Sequence, residues 1–283
     1  MWIDGDKIYC DEAKLNDHLT QKLNYNENEA ARIIQQINGH IKQNSLRCFW
    51  RLAAKKMSTE AIRVLLHSIE HSQLIHMLSY LDDPIKFTAL HWCAYHKRNE
   101  VMMIILDSVS EEECYQLLSI KDNLRWTPLH RSCWEGDTVS VRVMLNHINQ
   151  DMRYSLLQMS EEYSYTPLLI TSFYGHTDIM NVIHDSVTQT QWISLLQMQG
   201  YLDRTVLQRA AYRVNDQSSL DTIRNSVSDE EWLQLLCTPL PEYIQQSPNN
   251  KSHQRAVDWI DELRAAARVK SVLQTENNSG MLS

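Results

Sequence analysis

Glycine is scarce in this chain, which has six glycines among its 283 residues. Loops that bind phosphate groups rely on glycine-rich backbone, and the sequence contains no P-loop, no GxGxxG, no GxSxG and no HExxH pattern. Outside the repeated segment described below, fewer than 50 residues lie at either end, which is too few for most catalytic domains. We therefore expect a protein that is not an enzyme and binds no cofactor.

Metal-binding patterns are also lacking. The six cysteines form no CxxC pair, and the cluster of His67, His71 and His76 has no partnering carboxylate pattern, so we expect no metal site. Cys93 and Cys133 fall at or beside positions that hold small residues. This placement predicts thiols that act as small apolar side chains in a reducing compartment.

The sequence has neither a long apolar run nor an excess of positive charge. No stretch approaches the ~18 apolar residues of a membrane span, and the first residues lack the apolar core of a signal peptide. We expect an intracellular, cytoplasmic protein, with the nucleus as the other compartment open to it. Its 35 acidic and 27 basic residues give a net charge of −8, which argues against a general nucleic-acid binder and favours a basic peptide or helix as partner.

One short pattern recurs every 39 residues along the chain. The four copies are Thr88-Ala-Leu-His91, Thr127-Pro-Leu-His130, Thr166-Pro-Leu-Leu169 and Thr205-Val-Leu-Gln208. A threonine hydroxyl caps a helix well, and a proline at the first helical position loses no hydrogen bond, because N–H groups there have no partner within the helix. A fixed period of this length is typical of stacked repeats, which bury their apolar sides on one another.

The Thr-Pro-Leu-His core, the small residues after it and the closing pairs Gly136-Asp137 and Gly175-His176 closely resemble the ankyrin repeat. The resemblance covers about residues 46–240 and implies an all-α solenoid of about five helix-turn-helix units, with short β-hairpin-like tips and helical end caps. It also implies that the imidazoles of His91 and His130 bond back to the turn. The 39-residue period departs from the family, whose usual unit has about 33 residues.

The additional length follows the outer helix of each repeat and predicts a short third helix. Capping-box spacing occurs at Ser110 with Glu113, Thr188 with Gln191, and Ser228 with Glu231. Asn149 stands at the same place in another repeat and is itself a good capping residue. Without a third helix these segments would be long irregular loops, which are uncommon in compact folds.

The hairpin tips lack the glycine that the family places two residues before the threonine. Lys86, Arg125, Ser164 and Asp203 stand at this place. Two-residue turns of type I′ or II′ need residues that adopt positive φ easily, so we expect these tips to use another turn.

The first 45 residues are interpreted as an N-terminal helical cap. Leucines spaced by four between Leu15 and Leu23, and apolar residues from Ala30 to Ile41, each fit one helical face with a polar opposite side. Such half-polar helices suit the end of a repeat array. A small separate adaptor domain is the alternative.

The C-terminal part has a different composition. Residues 241–273 combine a polar linker that contains prolines with a helical pattern that begins at His253, and we interpret them as a linker and capping helix. A membrane-surface or partner helix is the alternative. Residues 274–283 are predicted to be a disordered tail.

Three columns of side chains recur at the repeat spacing and are candidates for partner binding. The tip column directly before each threonine contains Phe87, Trp126, Tyr165 and Arg204. The helix-end column, seven residues after it, contains Tyr95, Trp134, Phe173 and Tyr212. The mid-helix column, four residues after it, contains Trp92, Arg131, Ile170 and Arg209.

The resemblance implies that these columns line the concave groove of the array. Tyr, Trp and Arg are the residue types that dominate binding hot spots. We therefore interpret the tip column and the large mid-helix residues as recognition residues. The helix-end aromatics have two interpretations, recognition or packing on the third helix of their own repeat.

These features predict a non-catalytic protein–protein interaction module, an adaptor or scaffold that binds a protein partner through its concave face and is a monomer. Two alternatives remain open. In the first alternative, the chain is a regulatory ankyrin segment of a larger channel, receptor or enzyme system. In the second, it is an enzyme whose repeats act as a targeting arm. We expect neither nucleic acid nor a membrane as its partner.

Overall fold

The computed structural model describes residues 2–4, 7–22, 25–43, 46–82, 84–211, 217–239, 258 and 260–265. These residues are mostly helical, in agreement with the all-α expectation. The chain divides into two compact units, Met1–Leu156 and Leu157–Ser283. Among the described helices, none has the length and apolar character that crossing a bilayer requires.

The N-terminal segment of unit 1 begins with a pair of short strands that the helical interpretation of residues 1–45 did not include. Strands β1 (Trp2–Asp4) and β2 (Lys7–Tyr9) pair antiparallel, with Trp2 opposite Tyr9. Helix α1 (Glu12–Asp17) continues into a π-helical turn over His18–Lys22, and α2 is Glu27–Gln43.

The two predicted helical faces of this segment are confirmed in part, because Leu23 lies outside the described residues. Leu15 and Leu19 are buried on the first, and Ala30, Ile33 and Ile37 are buried on the second. Helix α2 packs on the first two helices of the following repeat.

Each repeat of unit 1 consists of three helices, which we name inner, outer and third. Repeat 1 has α3 (Leu46–Lys56), α4 (Thr59–His67) and α5 (His71–Ser79). Repeat 2 has α6 (Ala89–Tyr95), α7 (Asn99–Asp107) and α8 (Glu111–Ser119). Repeat 3 has α9 (Pro128–Glu135), α10 (Thr138–Asn146) and α11 (Gln150–Gln158), the last of which crosses the division between the units.

Unit 2 has the same organisation. Repeat 4 has α12 (Pro167–Tyr174), α13 (Thr177–Asp185) and α14 (Gln189–Gln197). Repeat 5 has α15 (Val206–Ala211), α16 (Ser218–Asn225) and α17 (Asp229–Cys237). A third helix therefore follows the outer helix in every repeat, as the sequence predicted.

Equivalent helices of successive repeats pack on one another within each unit. In unit 1 the inner helices α3, α6 and α9 are in contact in that order, and so are the outer helices α4, α7 and α10. In unit 2 each helix of repeat 4 contacts its equivalent in repeat 5. Fully buried side chains such as Leu90, Met102 and Leu129 fill these contacts, each stabilising the fold by about 1.5–3 kcal/mol.

Side-chain caps fix where the helices begin. The Thr127 hydroxyl accepts the backbone N–H of His130 at the start of α9, and Thr88 does the same for His91 in α6. The predicted capping boxes of α8, α14 and α17 are confirmed, and Asn149 Oδ1 accepts the N–H of Met152 at 3.1 Å. These caps satisfy N–H groups that have no partner within the helix.

One inter-repeat cap was not visible in the sequence. The Arg98 guanidinium donates to the carbonyls of Ala54 at 2.9 Å and Met57 at 3.0 Å. It thereby closes the C-terminal end of α3 from the next repeat. Sequence gives no signal for it, because Arg98 lies more than 40 positions from its acceptors.

The hairpin tips reach their turn with left-handed residues that are not glycine. At the tip of repeat 3 the Arg125 N–H donates to the Asp122 carbonyl and the Asp122 N–H donates to the Trp126 carbonyl. This is a three-residue loop closed by a left-handed residue, so the expectation that the tips avoid the two-residue type I′ and II′ turns is confirmed. The φ angles are 58° at Lys86, 63° at Arg125, 62° at Ser164 and 53° at Asp203.

The C-terminal cap is described in part. Residues 260–265 are helical, Ile260 is buried, and Arg264 donates to the carbonyls of Leu236 and Thr238 in unit 2. The remainder of the predicted helix, most of the linker and the predicted disordered tail 274–283 lie outside the described residues.

Replacing Arg125 by glycine is expected to raise the free energy of unfolding by about 1 kcal/mol, because the left-handed conformation costs a residue with a Cβ atom roughly 1–2 kcal/mol, part of which is offset by the greater entropy of unfolded glycine. Urea unfolding followed by circular dichroism measures the change. Gly136→Ala, at a φ of 68°, is the matched reverse substitution and should lower stability by a similar amount. A loss of stability in Arg125→Gly would contradict this account of the tip.

Candidate partner-binding surface

Unit 1 brings its predicted binding residues together into one continuous aromatic group. The Phe87 ring lies 4.9 Å from the Trp92 ring and 6.3 Å from the Tyr95 ring, measured between centroids. Trp126 and Trp134 form the same kind of pair at 5.1 Å in the next repeat. The tip residue and the helix-end residue of a repeat therefore touch, although eight positions separate them.

Arg131 joins the two repeats by lying between their tip aromatics. Its guanidinium carbon is 5.1 Å from the centroid of Phe87 and 4.7 Å from that of Trp126. One guanidinium nitrogen is also 3.6 Å from a carboxylate oxygen of Asp122. A planar cation held on two ring faces and beside a buried acid keeps both rings in place.

Exposure separates the three columns of unit 1. Phe87, Trp92 and Trp126 are buried, whereas Tyr95 is 48% exposed and Trp134 is 43% exposed. The recognition role predicted for the tip and mid-helix residues stays a prediction, and in the free chain these residues support the two exposed rings. A partner that approaches this side of unit 1 meets Tyr95 and Trp134 first.

Unit 2 has a related arrangement, in which an arginine of repeat 5 covers two rings of repeat 4. The Arg209 guanidinium carbon lies 4.8 Å from the centroid of Tyr165 and 4.5 Å from that of Phe173. Phe173 is 42% exposed, while Ile170, Arg204 and Arg209 are buried. The predicted residue Tyr212 lies outside the described residues.

Unit 2 also has two exposed tyrosines that the column pattern missed. Tyr163 is 56% exposed and Tyr201 is 47% exposed, and their rings lie 6.0 Å apart, edge to face. Tyr163 belongs to the tip of repeat 4, and Tyr201 follows Gly200, which begins the next tip. Their equivalents in unit 1 are not aromatic, so the repeat pattern gave no signal for them.

The acids that begin the tips of repeats 3 and 4, Asp122 and Glu161, were also missed. Asp122 Oδ1 accepts the N–H groups of Leu124 and Trp126, both at 2.8 Å. Glu161 Oε1 accepts those of Tyr163 at 2.8 Å and Tyr165 at 3.0 Å. Both acids are buried; burial raises the pKa of the Asp122 carboxyl, against the lowering effect of these N–H groups and of Arg131. An acid four residues before the tip aromatic is the sequence signal for this support.

His91 connects the helix start of one repeat to the tip of the next. Its Nδ1 accepts the Thr88 N–H at 3.2 Å, and its Nε2 donates to the Trp126 carbonyl at 2.9 Å. The bond back to the turn that the resemblance implied is thus present, and His130 makes the same bond to the Thr127 N–H at 3.3 Å. Complete burial, aided by Arg131, lowers the pKa of His91 from 6.5 to about 4, so the imidazole is neutral.

The described residues offer no cluster for metal binding, and two cysteines of the inner helices are buried. No three His, Cys, Asp or Glu side chains among them lie close enough together to hold a metal ion. Cys93 and Cys133 are fully buried, as predicted, and burial raises the pKa of the Cys93 thiol to about 12. A thiol with so high a pKa carries almost no reactive thiolate at neutral pH.

No known family model matches the sequence, and no curated protein is significantly similar to it.

Replacing His91 by glutamine is expected to remove part of the pH dependence of stability. The unfolded imidazole takes up a proton as the pH falls below 6.5, whereas the folded one does so only near 4. Between about pH 7 and about pH 5 this difference should lower the free energy of unfolding by about 2 kcal/mol in the unmodified protein. Below a pH of about 4 both states are protonated and the effect no longer grows.

Glutamine is a suitable replacement because repeat 5 already uses it. The Thr205 N–H donates to Gln208 Oε1 at 3.1 Å, and Gln208 Nε2 donates to the Pro239 carbonyl at 3.1 Å. Urea unfolding at the two pH values measures the effect, and other histidines contribute equally to both proteins. An unchanged pH dependence in His91→Gln would rule out a neutral buried imidazole.

Replacing Arg131 by lysine is expected to lower the free energy of unfolding by about 1 kcal/mol, because an ammonium group keeps the charge but does not stack on two rings. A double-mutant cycle with Phe87→Leu isolates the contact. Coupling of at least about 0.5 kcal/mol is expected, and effects that add within the experimental error would mean that the stacking contributes nothing.

Proposed function

We propose that this chain is an ankyrin-type repeat protein with lengthened repeats, and that it works as a non-catalytic protein-interaction module. The binding side is formed by the hairpin tips and the inner helices. In unit 1 its contact residues are Tyr95 and Trp134, held by Phe87, Trp126 and Arg131. In unit 2 the corresponding contact residue is Phe173.

Local geometry supports the ankyrin-type assignment. A threonine caps the inner helix, a histidine bonds back to that threonine and on to the next tip, and the tip closes with a left-handed residue at the place where the family has glycine. Equivalent helices pack on one another within each unit. The third helix of each repeat, such as Glu111–Ser119, accounts for the longer period.

The observation that carries the proposal is that Tyr95 and Trp134 are large, exposed and held in place. Packing on the third helix, the other interpretation of this column, would bury these rings, and nearly half of each is exposed. Exposed aromatic rings fixed by buried neighbours lose little rotamer entropy when a partner covers them. Their separation by one repeat lets a single partner contact both.

The proposed module is an adaptor or scaffold that acts as a monomer in the cytoplasm. The thiols of Cys93, Cys114 and Cys133 are free, which suits a reducing compartment.

The double substitution Tyr95→Ala/Trp134→Ala is expected to abolish partner recovery while leaving the fold intact, because both side chains are half exposed and lie at helix ends. Affinity purification from the native source, with quantitative mass spectrometry and chemical crosslinking, measures the loss and maps the contact. The recovered amount of each partner that binds the tip side should fall at least about tenfold, which corresponds to a loss of about 1.4 kcal/mol of binding free energy.

The matched control is Met103→Ala/Val139→Ala, which removes two exposed apolar side chains from the outer helices α7 and α10. It should recover the same partners as the unmodified protein. If the unmodified protein, the Tyr95→Ala/Trp134→Ala variant and the control recover the same amounts of partner, the tip side is ruled out as the binding surface. Substituting Trp92, Trp126 and Arg131 instead would mix loss of binding with loss of stability, since all three support the fold.

A further inference from the structure

Charge in unit 1 is distributed unevenly between its faces, although the outer helices also carry the exposed cations Arg63 and Arg142. The tips and inner helices carry exposed cations, which include Lys55, Lys56, Lys86, Lys97 and Arg125. The outer and third helices carry exposed acids, which include Glu70, Glu100, Asp107, Glu111 and Glu112. The net charge of −8 for the whole chain therefore does not describe the side that holds the exposed aromatic rings.

Acids on the tip side of unit 1 are mostly turned inward. Asp82 and Asp122 are buried at the tips, and Asp137 is buried where it caps α10 and accepts a hydrogen bond from Asn99. Glu135 is half-buried near Arg131. A partner on this side meets more exposed positive charge than negative charge.

Two exposed cations are sequence neighbours of the buried rings that hold the exposed ones. Lys86 precedes Phe87, which contacts Tyr95, and Arg125 precedes Trp126, which contacts Trp134. Lys55 is exposed on α3, which packs on α6, the helix that carries Tyr95. Burial, with a smaller contribution from Lys55, lowers the pKa of His96, and the His96 ring stacks on Trp92 at 5.7 Å. We name the group Lys55, Lys86, Tyr95, Arg125, Arg131 and Trp134 the tip-side patch.

Two of these cations occupy strained backbone positions. Lys86 and Arg125 have positive φ, a conformation that glycine adopts without cost. A glycine there would favour folding, but it would remove the charged side chain from the tip. The corresponding residues of unit 2 are Ser164 and Asp203, so basic tips belong to unit 1.

We propose that the tip-side patch binds an acidic segment of a partner protein, one that also carries apolar or aromatic side chains. This rests on the proposed function and gives the partner the opposite charge from the basic peptide that the net charge favoured. Carboxylates of the segment pair with Lys86 and Arg125 at adjacent tips, while its apolar side chains cover Tyr95 and Trp134. Charge of this kind on the rim sets the choice of partner and the association rate, and the aromatic centre supplies most of the affinity.

A protein segment fits the patch better than nucleic acid does. The cations are few and are interrupted by aromatic rings and by Glu135, whereas nucleic-acid surfaces present a continuous basic stripe along the backbone. The chain is also acidic overall, which repels a long polyanion from its other faces. A short acidic segment contacts the patch alone.

The test is a selection from a library of random linear peptides displayed on phage, with the full chain as bait. Enriched peptides are expected to carry net negative charge together with aromatic or large apolar residues. Dissociation constants are then measured by fluorescence anisotropy for the unmodified chain, for Lys86→Asn/Arg125→Asn and for Arg63→Gln/Arg142→Gln. Each variant pair removes two positive charges, the first from the tips and the second from exposed positions of α4 and α10.

Binding to the tip variant should be at least about tenfold weaker, and the control should stay within about twofold of the unmodified chain. Raising the salt concentration should weaken binding of the unmodified chain more than that of the tip variant. Asparagine tolerates positive φ, so the tip variant is expected to fold, and Lys55→Gln provides a second tip-side change away from the turns.

Three results would overturn the proposal. Enriched peptides could be neutral or basic, the two variant pairs could bind acidic peptides equally, or a single-stranded RNA oligonucleotide could bind more tightly than any acidic peptide. Basic peptides that lose binding in Tyr95→Ala/Trp134→Ala would refute the charge assignment and leave the proposed function standing. Absence of any enriched peptide would count against both.

Discussion

The apolar side of each repeat has no partner within that repeat, and this constraint organises both units. The helices are six to eleven residues long in the repeats, too short to be stable alone, so they depend on packing within the repeat and on burying the remaining apolar side on the next repeat. Leu90 of α6 and Leu129 of α9 are fully buried in this way, as are Met102 and Val141 on the outer helices. The hydrogen bonds, caps and tips of the repeats all depend on this apolar packing.

Polar groups at the contacts between repeats keep the register of the repeats. His91 is the clearest case, because its two nitrogens bond to the start of its own helix and to the tip of the next repeat. Both bonds require a neutral imidazole with Nδ1 as acceptor and Nε2 as donor. Arg98 acts similarly by closing the end of α3 from the following repeat. Such bonds have fixed geometry, which apolar packing alone does not impose.

The tips and the ends of the inner helices form the proposed binding side, and in unit 1 they combine buried support with exposed rings. Buried acids hold the turn, buried rings and Arg131 form a platform on it, and the last aromatic residue of the inner helix lies on that platform in the open. The exposed rings are thus fixed by groups that a partner does not need to move. A preorganised surface requires that some residues hold the structure while others contact the partner, and here the buried groups and the exposed rings divide these roles.

Much of this arrangement followed from the sequence alone. The threonine caps and the capping-box spacing are local signals, and together with the 39-residue period they predicted the repeats and the third helices. Local signals suffice there because each involves residues a few positions apart, whose geometry a helix or turn fixes. The bond from His91 to its turn was implied by the resemblance to the ankyrin repeat.

Tertiary structure decided what depends on residues far apart in sequence. It determined that Phe87, Trp92 and Trp126 are buried while Tyr95 and Trp134 are exposed, which the column pattern did not distinguish. It also turned Asp82 and Asp122 inward and left Lys86 and Arg125 outside, so that the charge of one face differs from the charge of the chain. Burial and surface charge depend on which repeat covers which side chain, and the spacing of residues in the sequence does not specify these contacts.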